Sequence, residues 1–167
     1  MPSSLPRLLP SSRPGDVRDS TRAKVLGTAM LHGGSASYST SALVVGTNGV
    51  KAVYAGDLNF AASTSKAVQQ VVDKATTAVT LTSSQNPSTT GQAVMFTAIV
   101  TTPFGNLPTG TVTFYDGSMA LKSAGLISGQ ATFTSSKLIK GTHTITAKFS
   151  GGWNFSPSAA ALSQSVN

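Results

Sequence analysis

The residues that could support catalysis or bind a metal are few in this chain. It has two histidines, His32 and His143, five aspartates, and neither glutamate nor cysteine. Without cysteine there is no thiolate ligand and no disulfide, and two imidazoles alone do not complete a metal site or a catalytic pair. No Ser/His/Asp arrangement, phosphate-binding loop or dinucleotide turn occurs at a meaningful spacing. We therefore predict that the protein is not an enzyme and binds no cofactor, and that His143 is a polar residue at the end of a strand.

Calcium is a further metal that carboxylates could hold. Asp57, Asp73 and Asp116 are far apart in the sequence, whereas calcium takes about six to eight oxygen ligands, usually from clustered carboxylates. Asp57 follows a glycine and Asp116 precedes one, which is typical of turns. We interpret these residues as turn formers and predict no metal site.

The basic charge of the chain is unevenly distributed. The formal net charge is +7, but all four arginines (Arg7, Arg13, Arg18 and Arg22) lie within the first 24 residues, and the lysines beyond them are scattered. Base readout and phosphate contacts favour clustered arginine. The sequence therefore predicts no nucleic-acid partner.

Residues 1–24 differ in composition from the rest of the chain. They hold four of the eight prolines and every arginine, which predicts a disordered head. Pro6 and Pro10 interrupt its start, so no signal peptide is predicted. Elsewhere no apolar run approaches the ~20 residues of a membrane span, and none is predicted.

The elements that position these residues are repeated. Residues 25–72 return as residues 120–167 at a constant offset: Gly46 returns as Gly141, and 141 − 46 = 95. A period of that length suits a whole small β domain rather than a solenoid turn. The second copy extends back to residue 75. We therefore predict a complete domain over residues 75–167 and its carboxy-terminal half over residues 25–72.

Residues 75–167 contain seven short tracts in which apolar and polar side chains alternate, separated by glycine, proline and asparagine. This pattern is typical of antiparallel strands and predicts an all-β sandwich of two sheets. The inward-facing positions predict a core that includes Phe96, Val112, Phe114, Phe133, Ile145, Phe149 and Phe155.

Two tracts carry a resemblance to a known family. Residues 110–117 (GTVTFYDG) and 141–149 (GTHTITAKF), followed by Gly151 and Asn154-Phe155, resemble the bacterial Ig-like repeats that occur in tandem in surface and secreted proteins. The resemblance covers residues 75–167 and, as a half, residues 25–72. It implies an Ig-like antiparallel β-sandwich, neighbouring Ig-like modules as partners, and an extracellular or cell-surface location. Gly151-Gly152 stands where the first copy has Gly56-Asp57, which predicts a different turn conformation.

The half-module raises a physical problem. With the seven strands lettered A to G in chain order, residues 25–72 keep D to G and lack A, B and C. In a seven-stranded sandwich of sheets ABED and CFG, B pairs with E and C pairs with F, so open edges are expected. Residues 1–24, with their prolines and no alternation, are not expected to replace the missing strands.

The only tryptophan, Trp153, falls in the turn between the last two strands of the complete module. We interpret it as a cap on the sandwich beside Phe155; the alternative is an exposed ring that stacks on a sugar. Two functions follow from these alternatives. The first is a structural spacer in a tandem array, and the second is an adhesive module that binds glycan or protein through its loop end, with Trp153 and Tyr115 as contacts.

Overall fold

The computed structural model describes residues 14–20 and 24–167, and the regular structure in these residues is entirely β. The chain divides into two compact units at Asp73/Lys74, here called the amino-terminal unit and the carboxy-terminal unit. The amino-terminal unit contains strands β1 (Pro14–Asp19), β2 (Lys24–Met30), β3 (Gly46–Tyr54), β4 (Ser63–Thr64) and β5 (Val68–Val72). The carboxy-terminal unit contains strands β6 (Ala78–Ser83), β7 (Val94–Thr101), β8 (Thr111–Asp116), β9 (Met119–Gly125), β10 (Gln130–Ser135), β11 (Gly141–Phe149) and β12 (Ser158–Val166).

The carboxy-terminal unit is a sandwich of two antiparallel sheets. One sheet has the strand order β10-β7-β6 and the other β12-β11-β8-β9. In the lettering used above, β6 to β12 are strands A to G, with B between A and E in one sheet and C and F at the centre of the other. Strand D (β9) pairs with C (β8), so the sheets are ABE and DCFG rather than the expected ABED and CFG. The predicted all-β sandwich is confirmed.

The core of this unit follows from the alternation along its central strands. On β7, the side chains of Val94, Phe96, Ala98 and Val100 are buried, while Met95 and Ile99 face outward and are exposed. The facing sheet contributes buried residues from β8 and β11: Val112, Phe114, Ile145, Ala147 and Phe149. Phe133 and Phe155 are partly buried against this cluster. The ring centroid of Phe133 lies 6.4 Å from that of Phe96 and 5.7 Å from that of Phe114, so Phe133 joins the two sheets.

The connection from β6 to β7 closes the side of the sandwich. Ser88 forms a parallel bridge with Val166 at the end of β12, and the Asn86-Pro87 peptide bond is cis. The fully buried side chain of Gln164 lies beneath this connection. Its amide donates to the Gln85 carbonyl at 2.9 Å and to Ser88 Oγ at 3.2 Å, and Ser83 Oγ donates to its carbonyl at 2.6 Å. These bonds satisfy an amide that would be costly to bury alone.

The amino-terminal unit has one sheet where the carboxy-terminal unit has two. In the described residues, β3 is central, with β1 and then β2 on one side and β4 and β5 on the other. The sheet therefore corresponds to the β12-β11-β8-β9 sheet of the other unit, with β2, β3 and β4–β5 in the places of D, F and G.

Strand β1 differs from the sequence-based prediction, because it lies in the segment expected to be disordered. Val17 pairs with Ala52 on β3 just as Phe114 pairs with Ala147 on β11, so β1 occupies the place of strand C. A register shift repeats as well: it falls after Val17 in the β1–β2 pair and after Phe114 in the β8–β9 pair. Pro14 begins the strand, where a missing N–H is tolerated. The predictions for residues 1–13 and 21–23 lie outside the described residues.

The half-module also differs from prediction at strand E. Residues 35–40, the counterparts of β10, form no strand, although the small bridge before them is kept: His32 pairs with Ser35 as Ile127 pairs with Gln130. In the carboxy-terminal unit, β10 pairs with β7, which is strand B. Since the amino-terminal unit has no strand B among its described residues, this segment lacks the neighbour that would hold it extended.

Candidate functional site

Trp153 lies at the apex of the turn between β11 and β12. Its side chain is 93% exposed, so it does not cap the sandwich as we first interpreted. Phe155, two residues later, packs against the core instead. Leu58, the counterpart of Trp153 in the first copy, is likewise fully exposed. The turn thus presents a large apolar side chain to solvent in both units.

The backbone of this turn is the same in both copies, contrary to the prediction from Gly151-Gly152. The φ angles are 80° at Gly56 and 79° at Gly151, and the closing hydrogen bonds, Asp57 N–H to the Phe60 carbonyl and Gly152 N–H to the Phe155 carbonyl, also correspond. A Cβ on Gly151 would lie 2.9 Å from the Phe155 carbonyl oxygen. The glycine common to both copies therefore fixes this turn, and the residue after it does not.

Tyr115 lies on the outer face of β8, away from Trp153. It pairs with Thr146, three residues before β11 ends and about 10 Å from that end at the rise of an antiparallel strand. The ammonium of Lys148 lies 4.8 Å from the centroid of the Tyr115 ring, a cation–π contact that occupies one face of the ring. No ring contact joins Tyr115 and Trp153, both of which lie in the described region. They do not form a single aromatic platform.

His143 and Asp116 form an ion pair in the carboxy-terminal unit that was not predicted from the sequence. His143 Nδ1 lies 2.6 Å from Asp116 Oδ2, and His143 Nε2 lies 2.8 Å from the Ile139 carbonyl oxygen. The two side chains are only 12% and 20% exposed. Because both ring nitrogens face acceptors, the doubly protonated imidazolium satisfies both contacts, whereas a neutral ring can donate to only one.

The pKa of His143 is raised above its usual value by this geometry. The hydrogen bond to the Ile139 carbonyl makes the largest contribution; partial desolvation opposes it, and the hydrogen bond and charge of Asp116 add to it. The pair borders an open cavity of about 540 Å³ whose lining includes Met119, Leu121 and Lys137. The arrangement fastens the β10–β11 loop to the β8–β9 turn. Asp116 therefore has a structural role, as the ion-pair partner of His143.

The first copy makes part of the same contact with a different residue. Asn48, the counterpart of His143, is fully buried, and its amide donates to the Val44 carbonyl at 2.8 Å, as His143 does to Ile139. The signal in the sequence was positional: His143 and Asp116 have inward parity on paired strands, and Asp116 pairs with Ile145, two residues from His143. A search for polar pairs at adjacent inward positions would have found it.

Asp57, one of the two acidic candidates in the amino-terminal unit, stabilises its own turn. Asp57 Oδ1 accepts from the N–H groups of Asn59 and Phe60 at 2.8 and 2.9 Å, and Oδ2 accepts from the Tyr54 hydroxyl at 2.7 Å. Within residues 14–20 and 24–167, no cluster of three or more His, Asp or Glu side chains is placed to hold a metal ion.

The comparisons with known proteins agree with the resemblance. The family description "Bacterial Ig-like domain (group 3)" matches residues 10–73 and 81–167. The first match extends upstream to include β1. A solved structure of the fibronectin(III)-like modules of Clostridium thermocellum CbhA is similar at 15% identity and a TM-score of 0.47, over 98% of this chain and 82% of that one. No curated protein matches.

The matched segments cover most of the sequence, in two consecutive copies. Each copy includes the strands that the structure places in a sheet of the same order. The chain therefore belongs to the family of bacterial Ig-like domains (group 3).

Proposed function

We propose that this chain is a structural, non-catalytic spacer from a tandem array of Ig-like modules in a bacterial surface or secreted protein, with neighbouring Ig-like modules as its partners. Bacterial Ig-like domains commonly occur in extracellular and surface proteins and are generally non-catalytic. Among the described residues there is no helix with the length and hydrophobicity to cross a bilayer. The observation that carries the proposal is the position of the two ends of the carboxy-terminal unit.

The chain enters and leaves this unit at opposite ends of the sandwich. At the start, Ala75 forms a parallel bridge with Phe155, and the Lys74 ammonium donates to the Gly152 carbonyl at 2.9 Å. At the finish, Val166 pairs with Gly141, the first residue of β11. The nine residues of β12 span about 30 Å at the usual rise per residue. A module of this kind adds its full length to a tandem chain.

The first and last segments of the unit also run parallel to each other. Ser88 N–H donates to the Ser165 carbonyl at 3.0 Å, Asn167 N–H donates to the Ser88 carbonyl at 2.8 Å, and Thr90 N–H donates to the Asn167 carbonyl at 3.0 Å. When the two ends are pulled apart, parallel segments that enter and leave at opposite ends are loaded in shear, so these bonds resist together rather than one after another. We call them the terminal clamp. A spacer under tension needs this property.

Single-molecule stretching of the full chain tests the proposal. We expect the carboxy-terminal unit to unfold in one step with a contour-length gain of about 30 nm, and Ser88→Pro, which removes one clamp donor, to lower the unfolding force. Phe133→Ala is the matched control, because it removes core packing and leaves the terminal clamp intact. If the control lowers the force as much as Ser88→Pro, or if the wild-type unit opens at the force of the Ser88→Pro variant, the spacer proposal fails.

A second candidate function rests on the exposure of Trp153. An indole that is 93% exposed at a turn apex can stack on a sugar ring or fill an apolar pocket in a protein partner. This is the adhesive alternative. Trp153→Ala is expected to abolish binding on a glycan array, while Tyr115→Ala is expected to leave it unchanged because Tyr115 lies elsewhere and contacts Lys148. Absence of any wild-type signal on glycan and protein arrays would reject the adhesive function.

A further inference from the structure

The two units differ in what covers the inner face of their corresponding sheets. In the carboxy-terminal unit that face is covered by β6, β7 and β10, and by the connection between β6 and β7. The described residues of the amino-terminal unit form no second sheet. Within residues 14–20 and 24–73, three separate sites lack contacts that, in the other unit, one continuous segment makes.

The first site is an apolar groove of about 370 Å³ on the inner face of the sheet. Its lining includes Val17, Leu26, Tyr38, Leu43, Val50 and Val68. By register or by the repeat offset, the counterparts of the first five are Phe114, Leu121, Phe133, Leu138 and Ile145, all of which belong to or pack on the core of the other unit. Val17 and Val50 are smaller than Phe114 and Ile145. The groove therefore has room for apolar side chains from an incoming strand.

The second site is Gln70 on β5. It pairs with Asn48 as Gln164 pairs with His143, so by strand register Gln70 stands in the place of Gln164, although the constant sequence offset of 95 residues aligns Gln164 with Gln69. Both side-chain amides donate to the next carbonyl along the strand, Val71 and Ser165. Gln164 is fully buried by Ser83, Gln85 and Ser88, whereas Gln70 is exposed. The amide is present, but no segment among the described residues of this unit buries it.

The third site is the tract 35–40. It has the alternation of β10, with Ala36 and Tyr38 in the places of Ala131 and Phe133, but it is exposed and forms no strand. In the other unit the corresponding strand, β10, pairs along its length with β7. The Tyr38 ring instead lies over Gly27, and its hydroxyl donates to the Leu26 carbonyl. The tract is next to the groove and has an unused edge.

We propose that the amino-terminal unit binds the A–B strand pair of an Ig-like module supplied by another polypeptide. All three missing contacts are made in the carboxy-terminal unit by residues 78–101, and a segment of that pattern would complete the sandwich. Its second strand would present alternate apolar residues to the groove, as Val94, Phe96, Ala98 and Val100 do. Its first strand and following turn would bury Gln70. The chain's own β6–β7 pair is not the donor, because its removal would uncover an equal core. This proposal does not depend on the spacer function.

A synthetic peptide of residues 76–103, added to the full chain, is the test. We expect saturable binding that slows amide hydrogen exchange at least tenfold in residues 35–40 and 68–72, with no change in β8 and β11. Phe96→Asp in the peptide should abolish the protection. Met95→Asp, its neighbour on the outward face, is the matched control and should retain it.

A second pair of variants, made in the chain rather than in the peptide, tests where the peptide binds. Gln70→Ala should weaken peptide binding, and Gln69→Ala, which has the opposite parity on β5, should not. The proposal is overturned if the peptide gives no protection, if it protects only the carboxy-terminal unit, or if the Phe96→Asp peptide binds as well as the wild type. Concentration-dependent protection of residues 35–40 without peptide would also overturn it, because a second copy of the chain would then be the occupant.

Discussion

The two units build the same sheet, and among the described residues only the carboxy-terminal unit covers it with a second sheet. Strands β8, β9, β11 and β12 have counterparts in β1, β2, β3 and β4–β5 with the same order and the same central pairing. In the carboxy-terminal unit Ile145 and Ala147 are fully buried; their counterparts Val50 and Ala52 are half-buried and exposed. The backbone ladder of this sheet thus forms without the second sheet. The burial of apolar side chains that stabilises the sheet requires the second sheet.

The comparison separates two contributions that are usually inseparable in a sandwich. Hydrogen bonding within this sheet is common to both units, so differences in stability between them measure what the second sheet adds: its own hydrogen bonds and the apolar area that it covers. Substitutions at matched positions are therefore informative in pairs. Native-state hydrogen exchange in β3 and β11 reads the free energy of unfolding of each unit within the intact chain.

The largest difference is expected at the position shared by Phe114 and Val17. Phe114→Ala should cost the carboxy-terminal unit about 3–5 kcal/mol, because it leaves a cavity in a closed core. Val17→Ala should cost the amino-terminal unit about 1 kcal/mol or less, because its side chain lines an open groove. Exchange rates of the β11 and β3 amides measure the two effects. Equal costs would show that the inner face of the amino-terminal sheet is covered in solution.

A smaller difference is expected at the two counterpart glutamines. Gln164→Ala should destabilise the carboxy-terminal unit by about 2–3 kcal/mol, since it leaves buried partners from the β6–β7 connection unsatisfied. Gln70→Ala should stay within about 0.5 kcal/mol of the wild type, as exposed substitutions do. Urea unfolding followed by exchange in each unit measures both. A Gln164→Ala variant as stable as the wild type would mean that water replaces the amide at no cost.

The smallest effect is a pH dependence confined to the carboxy-terminal unit. The pKa of His143 is raised in the folded state, chiefly by its bond to the Ile139 carbonyl. Its contribution to stability is therefore fully present below the unfolded value of about 6.5 and is lost as the pH rises through the raised folded value. His143→Asn, which copies Asn48, should keep the loop contact and remove this slope. Denaturation midpoints between about pH 6 and pH 9 test it.

Lys137 supplies the control for that measurement. It lines the same cavity as His143 and Asp116, so Lys137→Met changes the local charge without touching the ion pair. The slope should survive in this variant and disappear in Asp116→Asn only in part, because the Ile139 bond remains. A slope that persists unchanged in His143→Asn would assign the pH dependence to another group.

Much of the carboxy-terminal unit could be predicted from the sequence, because its strands alternate cleanly. Phe96, Val112, Phe114, Ile145 and Phe149 share one parity along their strands, which predicted that they face inward. The core burial of these residues follows directly. The turn at Gly151 was harder: its conformation is set by positive φ at the glycine, and the neighbouring residue types gave a misleading signal.

Strand β1 could not be predicted for a physical reason. It has one inward apolar side chain, Val17, and its neighbours Asp16 and Arg18 form an ion pair at 2.7 Å across two residues of the same strand. What holds it extended is the edge of β3, to which it bonds from Gly15 to Asp19. That information lies more than thirty residues downstream and is not visible in local composition. The exposure of Trp153 was missed similarly, because a turn apex looks the same in sequence whether its side chain folds back or not.

The exposed tract between β2 and β3, residues 32–42, is a site at which a protease can cut the folded chain. A protease binds its substrate in an extended form, and a surface segment outside regular structure can adopt that form without unfolding anything else. Residues 32–42 are exposed and, past the bridge at Ser35, carry no strand, and Tyr38 is a suitable side chain for the hydrophobic specificity pocket of chymotrypsin. Its counterpart Phe133 is held within β10 and is shielded. Cleavage after Tyr38 would leave two fragments, one with β1 and β2 and the other with β3 to β12, held together in the amino-terminal sheet by the β1–β3 ladder.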